Sequence, residues 1–171
     1  MTQAGTGKSS AIELEPPRFV IAKPFLIAGL KQRFTSDTMK NIPQLWQRFL
    51  PHIGQVSGQV GGVAYGLCSN MTSCPFAFDY TAGVQVSDPC GLPTGFSQVK
   101  IPAQRYVVFS HHAHVSSLPK ALDAVHEWLA TSGLAPVERI PDLPIMFERY
   151  GEAFDPRTGR GDMEICTPLK E

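Results

Sequence analysis

Charge is scarce in this chain. Only 18% of its 171 residues are charged, 15 basic against 15 acidic, so the formal net charge is zero. Binding nucleic acid by bulk electrostatics needs a basic excess, and a polybasic membrane anchor needs one locally, so the sequence argues against both. No apolar run approaches the roughly 18 residues of a membrane span. The first residues, MTQAGTGKSSAIELE, lack the apolar core of a secretion signal. The four cysteines, Cys68, Cys74, Cys90 and Cys166, form no C-x-x-C pair and read as free, partly buried thiols. There is no Gly-x-Ser-x-Gly elbow, and Cys and His are too scattered to argue a nucleophile pair. Gly7-Lys8-Ser9 superficially suggests a phosphate loop, but the motif's first glycine is missing and no apolar strand precedes it. A low charged fraction leaves neutral and apolar surface, which suits a lined pocket or a partner surface. The length allows one ordinary domain or two small repeats, and it buries roughly 70% of the unfolded surface without a disulfide or metal staple.

Residues 1–17 are polar, patternless and end in Pro16-Pro17, which reads as a flexible tail. Phe25–Leu30 is a strand that continues to Phe34. Ile42, Leu45, Trp46, Phe49, Leu50 and Ile53 recur at three- and four-residue steps, one stripe of a helix, with Asn41 as N-cap and Pro43 in the first turn. Val63–Ser69 and Phe76–Val86 are strands. Phe96–Ser110 is a strand kinked at Ile101-Pro102. Ser116 or Ser117 caps a second helix whose stripe is Leu118, Leu122, Val125 and Leu129, and Gly133 ends it. Ile145–Gly151 and Met163–Leu169 are strands, with a turn over Asp155–Gly159. The order is strand, helix, strand, strand, twice over. It predicts an α+β fold: a duplicated unit over about 18–90 and 95–170 with pseudo-two-fold symmetry, whose antiparallel sheets flank a central ligand cleft.

Alternation on Ile145–Tyr150 puts Ile145 and Phe147 on one face, as a helix-covered face wants, and Met146, Glu148 and Tyr150 on the other. A carboxylate beside aromatic rings suits a lipophilic cation: the charge gives direction, and the rings give area and cation–π attraction. Phe76, Phe78 and Tyr80 make a second aromatic row. Of the remaining aromatics, which include Trp46 and Phe34, Tyr106 and Trp128 are the better candidates to reach the cleft. His112 and His114 share a strand face, but no third ligand has metal-site spacing, and no cofactor is indicated.

The segments Phe96–Ala103, Tyr106–His111, Glu127-Trp128-Leu129 with Ser132-Gly133, Phe147–Tyr150, Phe154-Asp155-Pro156 and Glu164–Pro168 fall in a familiar order. Together with Tyr80–Val84 they resemble the gyrase-inhibitor-like (GyrI-like) small-molecule-binding domain, also the effector-binding domain of AraC-type and some MerR-type regulators. The resemblance covers about residues 20–169. It implies the same duplicated fold and a groove between repeats that binds drug-like, often lipophilic or cationic compounds, with Glu148 as the key polar contact. Some similar stand-alone proteins hydrolyse strained cyclopropane-bearing toxins, and there Glu148 would act as general base on water. Cys166-Thr167 and Ala113 depart from the family pattern. The stretch before the domain is too short for a helix-turn-helix, so the expectation is a stand-alone cytoplasmic binding module without direct nucleic-acid binding. A protein partner such as gyrase or a regulator is a further reading.

Overall fold

The computed structural model describes residues 12–171, so Gly7-Lys8-Ser9 and most of the expected tail lie outside the described residues. Residues 12–17 have no regular structure, but Ile12 and Leu14 pack against the core. Eight strands follow: β1 (Arg18–Ala22), β2 (Phe25–Thr35), β3 (Gln59–Ser73), β4 (Phe76–Val86), β5 (Ser97–Ile101), β6 (Gln104–His111), β7 (Pro144–Tyr150) and β8 (Met163–Leu169). Helix α1 (Ile42–Phe49) lies between β2 and β3, and α2 (Leu118–Ser132) between β6 and β7.

All eight strands form a single antiparallel sheet in the order β1-β6-β8-β7-β3-β4-β2-β5. The expected separate sheets are therefore one, joined at its centre by the β3–β7 ladder. Exchanging β1–β4 with β5–β8 reverses this order onto itself. In it, β1 and β2 stand six places apart, yet only Lys23 and Pro24 join them. Six inter-strand spacings measure roughly 29 Å in a flat sheet, whereas the link from Ala22 to Phe25 reaches about 11 Å at most. The same holds for β5 and β6, joined by Pro102 and Ala103. A flat sheet is impossible, and the strands curl into a half-barrel with both links crossing its seam.

Curling makes the two faces unlike. The inner face gathers Ile27, Tyr65, Leu67, Tyr106, Val108 and Phe147. The outer face carries the helices: Leu45 and Phe49 of α1, and Leu118, Ala121, Val125 and Leu129 of α2, are buried against strand residues such as Phe34, Val84, Val107 and Ile165. Helix α1 sits over β2 and β4, and α2 over β6, so β7 and β3 run between them. Of the stripe expected on α1, Leu45 and Phe49 are buried and Ile42 and Trp46 half-buried, but the helix ends at Phe49, so Leu50 falls in a following 3-10 turn and Ile53 in extended chain; on α2, Ala121 is buried and Leu122 is half-buried. Pro43 and Pro119 each occupy a first helical turn. Ser117 stands at the N-cap of α2 but its hydroxyl donates to the His114 carbonyl, while the His114 ring accepts from the Ser116 amide. Gly133 ends α2 at φ 75°, a conformation that favours glycine. The expected kink at Pro102 is the seam crossing between β5 and β6, and β1 is a strand the periodicity did not reveal. Among the described residues, no helix is long and apolar enough to cross a membrane.

Leu45 is 1% exposed on α1, whereas its neighbour Gln47 points to solvent. Leu45→Ala is expected to lower unfolding free energy by about 2–5 kcal/mol in urea titrations, and Gln47→Ala by less than about 0.5 kcal/mol.

Candidate functional site

Met146, Glu148 and Tyr150 share a face of β7, as alternation requires, but the face is the opposite of the one expected. Met146 belongs to the core under the helices, and Phe147 lies on the inner face; of the pair expected beneath a helix only Ile145 touches the helix-side core. Alternation fixes which residues are together and carries no sign for which side a helix covers.

Glu148 is buried, 7% exposed, in the middle of the sheet and between the helices. The Tyr150 hydroxyl donates to its Oε2 at 2.7 Å. The Tyr80 hydroxyl donates to the same oxygen at 2.6 Å, from β4 across the intervening strand β3. That crossing depends on Gly66, the β3 residue paired with Glu148. A Cβ there would stand 2.0 Å from the Tyr80 hydroxyl oxygen and 2.7 Å from Glu148 Oε2. The Trp46 indole N–H donates in turn to the Tyr80 hydroxyl at 3.0 Å, and its ring packs edge-on to Tyr150 with centroids 5.3 Å apart. Phe34 meets Tyr80, and Phe154 meets Tyr150 at 4.8 Å. Among the described residues no group bonds Glu148 Oε1.

Burial pushes the Glu148 carboxyl above its ordinary value, and the two tyrosine bonds only partly oppose this. Burial, with the Glu148 charge next, pushes both tyrosine hydroxyls well up, so they remain donors. The same causes, in that order, hold the Cys68 thiol protonated beside them. All four cysteines are free, with Cys68 and Cys166 buried.

Residues 15–170 match the family model of the GyrI-like small molecule binding domain. This chain belongs to the GyrI-like family. It is similar to the transcriptional regulator BrlR of Pseudomonas aeruginosa, at 29% identity over 155 residues, which are 89% of this chain and 54% of that protein. The chain thus spans about half the length of the curated relative it matches. The solved structure of SAV2435 bound to tetraphenylphosphonium has a TM-score of 0.73 at 18% identity, covering 91% of this chain and 94% of that one. The EcmrR C-terminal domain has a TM-score of 0.62 at 17% identity, over 91% and 98%. At such identities the structural likeness is one of fold.

Of the residues singled out in the sequence, this GyrI-like domain brings Glu148, Tyr150, Tyr80, Met146 and Phe78 to the helix side of the sheet. Tyr106 lies on the inner face, against Phe147 at 5.2 Å, and is not brought to Glu148. Trp128 packs on Phe109 at 5.1 Å. The tryptophan that joins the cluster is Trp46, which the sequence ranked below Trp128. Nothing local separates the two; the choice depends on which helix lies beside β4. His111 is buried beside the Ser117 hydroxyl and the His114 carbonyl.

Because a Cβ at Gly66 would collide with the Tyr80 hydroxyl, Gly66→Ala is expected to lower the thermal midpoint by more than Tyr80→Phe alone. The double variant, which removes the colliding oxygen, is expected to recover part of that loss. Equal additive losses in a double-mutant cycle would contradict the close approach.

Proposed function

We propose that this GyrI-like domain binds a lipophilic, drug-like cation at Glu148, as a sensing or sequestering module. The observation that carries the reading is a buried carboxylate with two tyrosine donors on one oxygen and, among the described residues, no partner on the other. A ligand cation would supply the counter-charge that burial withholds, and Trp46, Tyr80 and Tyr150 would supply ring contact. Met146 and Phe78 extend the apolar floor. A structural relative bound to tetraphenylphosphonium supports a ligand of this class. We read the scaffold as a duplicated unit with pseudo-two-fold symmetry over about 18–90 and 95–170, supported by a strand order that reverses onto itself when the halves are exchanged. The ligand site then falls at the junction of the repeats, where β3 meets β7. In this reading the module works in the cytoplasm, and a regulator is its natural protein partner.

The charge makes a test. A cation binds the ionised carboxylate, whose pKa in the free protein is raised by burial. Affinity is therefore greatest above that raised value and falls as pH drops through it, by roughly tenfold per pH unit once protons compete fully. Calorimetric titration with tetraphenylphosphonium is expected to show this decline in the native chain. Glu148→Gln is expected to weaken binding by about 10- to 100-fold at the upper end and to remove the pH dependence. Unaltered affinity in Glu148→Gln would overturn the reading. The ligand is expected back unchanged by mass spectrometry; a gain of one water on a cyclopropane-bearing compound would instead make Glu148 a general base.

A further inference from the structure

The inner face of the half-barrel holds a cavity of about 420 Å³ that the Glu148 site does not include. Its walls come from far-apart strands of the sheet: Val20 and Ala22 of the edge strand β1, Tyr106 of β6 beside it, Phe147 of β7, Tyr65 of β3, and Phe25 of β2, next to the opposite edge. This volume lies within the range of small-molecule sites. The rings form a connected wall: Phe25–Tyr65, Phe25–Phe147, Tyr65–Phe147 and Tyr106–Phe147 centroids are 5.8, 6.1, 5.9 and 5.2 Å apart. Tilted and edge-on rings of this kind accept a further flat ring against their faces and edges.

Charge around this cavity is biased the opposite way from the Glu148 site. Arg18, Lys23 and Arg149 line it, against the single carboxylate of Glu164. Arg18 and Arg149 each give one N–H bond to that carboxylate, Arg18 to Oε1 and Arg149 to Oε2. Arg149 also meets the Tyr65 hydroxyl, and since a guanidinium has five donors, several on each arginine have no partner among the described residues. Their side chains are 51% and 39% exposed, which keeps those donors open to an incoming group. One carboxylate between two guanidinium groups also leaves positive charge over, and Lys23 adds to it. Guanidinium forks match a carboxylate or sulfonate in plane, with two parallel bonds.

We propose that this cavity is a second ligand site, separate from the Glu148 cluster, and that it takes a flat aromatic monoanion, a carboxylate or sulfonate. The ring stacks against Phe25, Tyr65, Tyr106 and Phe147, and the anionic group meets Arg18 and Arg149. The site does not rest on the cation reading, since it lies on the other face of the sheet and uses none of the same side chains.

The probe is 2-naphthoate, titrated calorimetrically into the full chain, with neutral 2-naphthalenemethanol for comparison. One-to-one binding is expected, at least about tenfold tighter for the anion and weakening as salt is raised. Arg18→Gln changes a half-exposed side chain and leaves the core intact. It is expected to weaken naphthoate by about tenfold while changing the neutral alcohol little, and Arg149→Gln should do likewise. Methyl-resolved NMR places the ligand directly: shifts are expected at Val20, Ala22 and Val108, with the Met146 methyl on the opposite face unmoved. No naphthoate binding at millimolar concentration would overturn the proposal. So would equal affinity for the neutral alcohol, or shifts centred on Met146. Failure of these outcomes leaves the pH-dependent binding of tetraphenylphosphonium at Glu148 untouched, so the two readings fail separately.

Discussion

Two seam crossings of two residues each decide the shape of this molecule. Lys23-Pro24 and Pro102-Ala103 tie strands that the ladder sets six places apart. Chain reach cannot span a flat sheet of that width, so the sheet must curl and bring those strands together. Everything else follows from having an inside and an outside. The inside is lined from the strands, with Ile27, Leu67, Val108 and four aromatic rings around the cavity they leave. The helices go outside, one toward each edge, and the centre of the sheet lies between them. Alternation along β7 then hands Glu148 and Tyr150 to one face and Phe147 and Arg149 to the other. Two neighbourhoods of different chemistry arise from consecutive residues of a single strand.

The outer neighbourhood is energetically demanding. Burying an ionised carboxylate costs several kcal/mol even after relaxation. Here two hydroxyls offset part of that on Oε2, and the Trp46 N–H donating to the Tyr80 oxygen polarises that hydroxyl toward its acceptor. The compensation is incomplete, as the raised carboxyl pKa shows. A group left partly uncompensated in the protein alone is one that an arriving donor or cation can stabilise. The Tyr80 bond is made possible by a glycine: its hydroxyl reaches Glu148 over Gly66, where a Cβ would crowd both groups. Position, burial and charge are thus linked through Gly66.

Much of this was legible in the sequence where the signal is local. The strands Phe76–Val86 and Met163–Leu169 have the expected limits, because Pro75 bounds one and a turn precedes the other. Both helices announce themselves by one apolar stripe and a first-turn proline. Strand β1 was not legible: it is five residues at an edge, and its Phe19 and Ile21 are exposed, so no buried face stamps a period on it. Pro102 read as a kink because nothing local distinguishes a bend within a strand from a jump across a seam. Glu148 was readable as a carboxylate among rings, but its facing toward the helices and the choice of Trp46 over Trp128 are long-range facts. They depend on β4, β3 and β7 being neighbours, which only the register supplies.

The balance of charge now has a different meaning. Fifteen positive and fifteen negative side chains cancel over the whole chain. They do not cancel on either face of β7. On the helix side a carboxylate stands among tyrosine and tryptophan without a basic partner in its hydrogen-bond set. On the inner side two guanidinium groups share one carboxylate. Water screens exposed charges beyond roughly 8–10 Å at ordinary ionic strength, while buried ones are screened much less. A small ligand entering either neighbourhood therefore meets the local imbalance and not the sum. On the two readings proposed above, faces biased in opposite senses would discriminate small molecules by the sign of their charge through local fields and not through the net charge of the chain.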